Sequence, residues 1–332
     1  MPIKLIALDL DGTLLNAKKE ISRANKEALQ AARQQGVKVV ITTGRPLPAV
    51  EIFLKELDLM GGDEYSITFN GGLVQTNDGG ILDEIGFGFD AVESIYQTTQ
   101  ALGLPLDVVH GGDVYVLPSA VDSLYPTCNA LLNYIPTRFE DLPRQMEFNK
   151  AVSACEVDFL DQQIPKIPEN LHAQFEIFKS REILLEWSPK GVHKAEGLAK
   201  LIEHLGIEQA EVMACGDEEN DLSMIDWAGL GVCMANGADA VKEVANVVTP
   251  MTNDRLFGAK PEENLEESTQ VEEAVQEENA APEILEETDA VTEVEPALTP
   301  EQEAQKQRTL DLMERYYAEK AALAARVQEA QE

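Results

Sequence analysis

Residues Lys4 to Leu10, KLIALDL, run with almost no polar break into a pair of aspartates, Asp9 and Asp11, followed at once by Gly12. A continuous apolar run of this kind suits a strand buried on both faces, and such strands belong to parallel sheets covered by helices on either side. The neighbouring sequence agrees. Ile21 to Gln35 carries apolar or alanine positions at helical spacing and stops at Gly36, and KVVITTG, Lys38 to Gly44, is a second buried strand. Strand, helix, strand in this order predicts a right-handed crossover unit.

The same rhythm returns late in the chain. Lys194 to Leu205 reads as a helix closed by Gly206, Glu211 to Cys215 as a strand and Asp221 to Trp227 as a helix. Leu230 to Met234 is a further strand, Ala238 to Ala245 a helix, and Val247 to Val248 a last short strand. Between about Asp83 and Pro189 the pattern differs. Short strand-like pieces, Leu106 to Val109, Val114 to Leu117 and Ala151 to Cys155, alternate with helical stretches such as Ala91 to Leu102. The expectation is a doubly wound α/β core made of residues 1–82 and 190–258, interrupted by an α+β cap domain at 83–189.

Charge divides the rest. The 332 residues carry a formal net charge of −34, which argues against a nucleic-acid or anionic-membrane partner. Pro261 to Leu298 contributes 14 acidic residues and no Lys or Arg, so 259–298 is expected to be a disordered acidic linker. Thr299-Pro300-Glu301 resembles a helix start, and Leu310, Met313, Tyr317, Leu323 and Val327 form a rough apolar stripe. An amphipathic helix is therefore expected over 299–332, a candidate surface for self-association or a protein partner. Cys128, Cys155, Cys215 and Cys233 form no C-x-x-C pair, so neither a zinc knuckle nor a redox motif is suggested. The first residues do not read as a signal peptide, and no stretch is apolar enough to span a bilayer. The reading is a cytoplasmic protein.

Four pieces carry chemistry, each at the expected end of a parallel strand, and ligands of parallel sheets bind where strands end. Asp9 and Asp11, two apart, suit a nucleophile able to form an aspartyl-phosphate and a general acid/base that protonates the leaving oxygen. In T-T-G-R, Thr43 and the following amides can donate to phosphate oxygens and Arg45 adds positive charge. Lys194 opens a helix and can offset charge between nucleophile and phosphate, while His193 beside it is taken as structural or exposed. G-D-E-E-N-D, Gly216 to Asp221, follows an apolar strand and offers hard oxygen ligands suited to Mg²⁺. Alone, each piece is also what an ordinary turn or helix start supplies, with Asp217 as an N-cap for the last.

Together D-L-D-G-T-L-L, T-T-G-R, G-V-H-K and G-D-E-E-N-D resemble the four motifs of the haloacid-dehalogenase superfamily. F-N-G-G at Phe69 to Gly72 and the phrase G-V-C-M-A-N-G-A-D-A-V-K narrow the resemblance to the Cof-type sugar-phosphatase branch, over about Ile3 to Asn253. It implies a Rossmann-like core with an inserted mobile cap, Asp9 as nucleophile and Asp11 as acid/base. It implies Mg²⁺ held by the Asp9 carboxylate, the Asp11 carbonyl and Asp217, with Asp221 in support. Thr43, Gly44, Arg45, Asn70, Gly71, Lys194 and Asn220 would serve the phosphate pocket. The chain departs from this pattern after Thr252, where R-L-F-G-A-K leads into the acidic tail instead of the usual closing helix.

The reaction so implied is hydrolysis of small phosphorylated metabolites, sugar phosphates foremost. A phosphosugar mutase sharing the nucleophile, or a scaffold acting through its acidic tail and terminal helix, are the competing readings. No motif residue lies beyond Asp221, so a chain ending at Lys260 is expected to hydrolyse p-nitrophenyl phosphate with a kcat/KM within a few-fold of the full chain. Loss of folding or turnover on truncation would mean that the tail replaces the missing final helix of the core.

Overall fold

A computed structural model of the chain describes residues 2–250 together with Thr252, Pro300, Glu303, Ala304 and Gln307. The acidic linker expected at 259–298, and nearly all of the helix expected over 299–332, lie outside the described residues.

The strands, in chain order, are β1 (Leu5–Leu8), β2 (Lys38–Thr42), β3 (Tyr65–Thr68), β4 (Leu73–Thr76) and β5 (Ile81–Glu84). Next come β6 (Asp107–His110), β7 (Asp113–Val116), β8 (Asn133–Pro136), β9 (Lys150–Ala154), β10 (Phe175–Arg181) and β11 (Leu184–Pro189). The last are β12 (Val212–Gly216), β13 (Leu230–Cys233) and β14 (Val247–Val248). They form one sheet of order β14-β13-β12-β1-β2-β3-β4-β5 and a second of order β10-β11-β9-β6-β7-β8.

From β14 to β3 the first sheet is parallel, with β1 at its centre between β12 and β2. The apolar run that begins the chain explains this position. Ile6 and Leu8 enter a cluster with Leu29 and Phe53 under the helices Arg23–Gln34 and Glu51–Glu56. Leu5 and Ala7 point the other way, into a cluster with Leu198, Leu201 and Ile225 under the helices Lys194–Leu205 and Leu222–Trp227. Both faces of β1 are thus sealed, as the alternation of a strand requires. Ser22 caps the first helix by accepting from the Asn25 amide.

The sheet differs from the sequence expectation at one edge. β4 and β5 run antiparallel to their neighbours, as a meander after β3. β5, the outermost strand, is only partly buried, and β4, although Leu73, Val74 and Gln75 are buried, is too short and too polar to show a continuous apolar run. Ile81, on the outermost strand, is in fact exposed.

The second sheet is antiparallel throughout except for the β7–β8 pair. One face packs on a cluster holding Trp187, Phe148, Val92 and Ile95, partly under the helix Phe89–Leu102. The other gathers Val114, Tyr125, Tyr134 and Val152 with Phe69 and Leu73. Phe69 and Leu73 belong to the loop and strand after β3, so this cluster joins the two sheets. All four cysteines are free and buried, and among the described residues no helix is long and apolar enough to cross a membrane.

Asp107, at the start of β6, is 1% exposed, and its Oδ2 accepts from Ser123 Oγ at 2.5 Å while Oδ1 has no hydrogen-bond partner. Burial pushes its carboxyl up to about 7, against the opposing pull of the Ser123 hydrogen bond. Below the ordinary value of 3.8 the carboxyl is protonated in folded and unfolded chains alike. Between 3.8 and about 7 only the folded chain holds the proton favourably, so Asp107 lowers stability progressively as pH rises through that window. Asp107→Asn is expected to match the parent in urea midpoint near pH 4 and to exceed it by a growing margin up to about pH 8. A margin that does not vary with pH would remove this assignment.

Candidate active site

The site assembles where β1, β2 and β12 end. Asp9 leaves β1 with its amide donating to the Cys215 carbonyl at 3.0 Å, which holds it in register with β12. It is 6% exposed, and its Oδ1 accepts from Lys194 Nζ at 2.5 Å. Lys194 is fully buried and also donates to Asp221 Oδ1 at 2.6 Å. The other oxygen of Asp221 accepts the amides of Asp217 and Glu218 at 2.9 and 3.1 Å. Asp217 in turn accepts from Thr13 Oγ1 at 2.7 Å and from Asn236 Nδ2 at 3.3 Å.

Burial works against the Lys194 ammonium, but Asp221 and then Asp9 outweigh it and hold the lysine protonated well above its usual range. Asp217 is pushed up to about 6, first by burial, with Asp221 and Glu218 adding repulsion and Thr13 opposing. Carboxylate oxygens of Asp9, Asp217 and Asp221 lie within 4.8 Å of one another. Three buried carboxylates around one ammonium leave negative charge uncompensated, and their donors are all oxygen. Such a set fits a hard divalent cation.

Asp11 turns outward. Its carboxylate takes a fork from Arg45, Nε at 2.9 Å and Nη2 at 2.7 Å, and Lys19 Nζ at 3.0 Å. Burial raises its pKa, but Arg45 and Lys19 together prevail and lower it. Gly12 makes the turn between the two aspartates, with φ +83°, and a Cβ there would sit 2.0 Å from Asp217 Oδ2.

The second predicted motif arrives from β2. The Thr43 amide donates to the Ile67 carbonyl at 2.8 Å, which leaves the Thr43 hydroxyl and the amides after it as the groups that could meet an anion. The Thr43 hydroxyl accepts the Arg45 amide at 3.2 Å, which leaves its own proton free to donate. Asn70, at φ 56°, donates its amide to the Thr43 carbonyl at 3.0 Å and accepts from Asn220 Nδ2 at 3.2 Å. Gly71 lies off the cleft: at φ +105° it packs on the His193 backbone, where a Cβ would meet the carbonyl at 2.2 Å. Gly44 and Arg45 line the cleft with Asp9, Asp11, Asn70 and Asn220.

Lys194 corrects the expectation that every motif follows a parallel strand, because it comes after β11 of the second sheet. It reaches the site because the helix Lys194–Leu205 leads into β12 and crosses back along the sheet, which puts its first residue at the carboxyl ends of the strands. The N-cap role considered for Asp217 belongs to Glu218, which forms a capping box with Asp221. Thr13, Asn236 and Lys19 went unrecognised. Thr13 lies within the first motif, but nothing in sequence tells which side chain will face Asp217.

The cleft holds about 500 Å³, and its opposite wall comes from the second sheet, with Asn129, Lys150, Phe178, Ser180, Arg181 and Glu186. None of these was singled out in the sequence.

Buried acids at the carboxyl ends of a parallel sheet, beneath an inserted second sheet, define an α/β enzyme with a site suited to a divalent cation. Residues 6–255 match the family model for haloacid dehalogenase-like hydrolases, and the chain belongs to that family, in its Cof-type branch. It is 35% identical over 255 residues to the putative phosphatase YxeH of Bacillus subtilis, covering 76% of this chain and 94% of that protein. It is 32% identical over 247 residues to the 5-amino-6-(5-phospho-D-ribitylamino)uracil phosphatase YcsE of the same organism, covering 74% and 90%. Among solved structures, a haloacid dehalogenase-like hydrolase from Bacteroides thetaiotaomicron superposes with a TM-score of 0.66 at 29% identity, covering 81% of this chain and 99% of that one.

Glycine geometry here is open to test. Gly36 has φ +84° with nothing within 4 Å of a built Cβ, whereas Gly12 and Gly71 have the same sign of φ and immediate clashes. Gly36→Ala is expected to cost about 1 kcal/mol in urea unfolding. Gly12→Ala and Gly71→Ala should each cost clearly more, and equal losses at all three positions would contradict the packing described.

Proposed function

We propose that the chain is a phosphatase that hydrolyses small phosphorylated metabolites, sugar phosphates foremost, through an aspartyl-phosphate on Asp9, with Mg²⁺ as cofactor. The observation that carries this is Asp9 itself: a buried carboxylate open to a polar cleft and fixed from behind by Lys194. The cleft has the volume of a ligand site for a molecule of that size. A relative named for a phosphorylated ribityl substrate points the same way.

In this reading Asp9 attacks phosphorus, the bond to the leaving oxygen breaks, and Asp11 supplies that oxygen with a proton. Asp11, now ionised, takes a proton from water, whose oxygen attacks the aspartyl-phosphate and releases inorganic phosphate and free Asp9. The fork from Arg45 holds Asp11 ionised, which suits the second step. For the first step Asp11 must be protonated, which requires the contacts from both Arg45 and Lys19 to give way, Arg45 turning toward the phosphate. Lys194 spreads positive charge between nucleophile and phosphoryl group, and Asp221 acts by orienting Lys194. The Thr43 hydroxyl and the Gly44 amide donate to phosphate oxygens, and the Asn70–Asn220 pair borders them. Asp9, the Asp11 carbonyl and Asp217 would hold Mg²⁺, with Asp221 supporting Asp217 through its amide. Bound there, the cation supplies charge neutralisation at the phosphoryl oxygens.

Asp9→Asn is expected to keep the fold, judged by circular dichroism, and to lose p-nitrophenyl phosphate turnover. The parent should require Mg²⁺, lose activity in chelator and be inhibited by Ca²⁺, which takes more ligands at about 2.3–2.6 Å rather than 2.0–2.1 Å. Near-normal kcat in Asp9→Asn, or full activity in chelator, would defeat the mechanism.

A further inference from the structure

The wall that the second sheet gives to the cleft has a charge imbalance. Lys150 on β9, 5% exposed, donates to Glu186 Oε2 on β11 at 2.9 Å, and Ser180 on β10 donates to Glu186 Oε1 at 2.6 Å. Both oxygens of Glu186 are engaged, and its charge is matched by Lys150. Arg181 stands beside the same cluster. Glu186 favours the Lys150 ammonium, whereas the positive charge of Arg181 disfavours it. Among the described residues no carboxylate lies within ion-pair distance of Arg181. Lys179, which also lines the cleft, is paired with Asp161 at 2.5 Å. Lys150 is thus paired with Glu186, whereas the exposed Arg181 has no carboxylate of its own at a surface that opens into the site.

The backbone presents this cluster deliberately to the cleft. The β10–β11 register slips between Lys179 and Arg181. A regular strand sends alternate side chains to opposite faces, yet the adjacent residues Ser180, bonded to Glu186, and Arg181, paired opposite Leu184, both line the cleft. A bulge re-aims side chains in this way. Asn129 lines the same wall.

The geometry points to a second anion subsite, formed by Arg181 with Lys150 and Asn129, that receives a negatively charged group at the end of the substrate remote from the reacting phosphate. The substrates preferred are phosphomonoesters that carry a further anionic group, either a carboxylate or a second phosphate. This inference rests on the phosphatase reading above and adds the chemical class of the substrate's far end. Glu218 and Glu219 line the cleft from the core side and are exposed. A contact between them and Arg181 across the cleft would make Arg181 a latch that serves every substrate alike.

The test uses the full chain and two matched pairs of substrates, 6-phosphogluconate against glucitol 6-phosphate and fructose 1,6-bisphosphate against fructose 6-phosphate. In each pair only the far group changes, so the pairs separate carboxylate from phosphate. The reading is the ratio of kcat/KM, anionic over neutral. At least one ratio is expected to exceed unity by about 10- to 100-fold, the scale of a charge-assisted hydrogen bond, and to fall to near one in Arg181→Gln. Arg181→Lys should restore part of it. Ratios near one in the parent, or ratios that Arg181→Gln leaves in place because both members of a pair weaken together, overturn the subsite. Turnover of p-nitrophenyl phosphate reports the phosphatase reading separately. The same ratios, read as dissociation constants on Asp9→Asn, report the subsite even where turnover is lost.

Discussion

The Lys194 ammonium, fully buried between Asp9 and Asp221, is the contact on which the site depends. Removing a lysine and two aspartates from water costs several kcal/mol per ion, and only close pairing with satisfied hydrogen bonds offsets it. Every element around the knot serves that pairing. β1 delivers Asp9, the helix Lys194–Leu205 delivers the lysine with its first residue, and the turn after β12 delivers Asp221. The remaining oxygen of Asp221 is closed by two amides of that same turn. Asp217 is left facing Asp9 with less compensation, which is why the cluster suits a divalent cation.

The parallel sheet makes this convergence possible. Neighbouring parallel strands all end on one side, and the helices between them return with their amino ends on that side. Residues 9, 43, 194 and 217 therefore meet although the chain between them is long. Tight backbone finishes the arrangement. Gly12 leaves room for the Asp217 carboxylate, and Gly71 lets the Phe69–Gly72 turn lie on the His193 carbonyl. The turn in its left-handed conformation then sets Asn70 beside Asn220 and Thr43.

The second sheet encloses the reaction space. It is anchored to the first by the apolar cluster that contains Phe69 and Leu73, and Lys150 lies 5.9 Å over the Phe69 ring. Phe69 precedes Asn70 in the chain, so a residue lining the core side of the cleft is continuous with the contact that anchors the opposite wall.

From the sequence alone β1, β2, β12 and β13, the helices Arg23–Gln34, Lys194–Leu205 and Leu222–Trp227 and the charged motif residues were legible, whereas the parallel strand β3 and the helix Glu51–Glu56 before it were not. Continuous apolar runs are burial demands that hold in any context, and short local spacings such as Asp9 to Asp11 survive folding unchanged. The family was legible for the same reason, since D-L-D-G-T-L-L and G-D-E-E-N-D are contiguous. The antiparallel β4 and β5 were not legible, because β5 is only partly buried and β4 is short with a buried Gln75 where an apolar residue would be expected. Tertiary structure alone decided that Lys194 enters from the second sheet's exit, that the Thr43 amide is already bonded, and that Thr13 and Asn236 brace Asp217. It alone placed Lys150, Glu186 and Arg181 on one wall, since their pairing depends on strand order and on a single bulged residue. Such contacts join residues far apart in the chain, and a strand's own sequence carries no record of which strand will lie beside it.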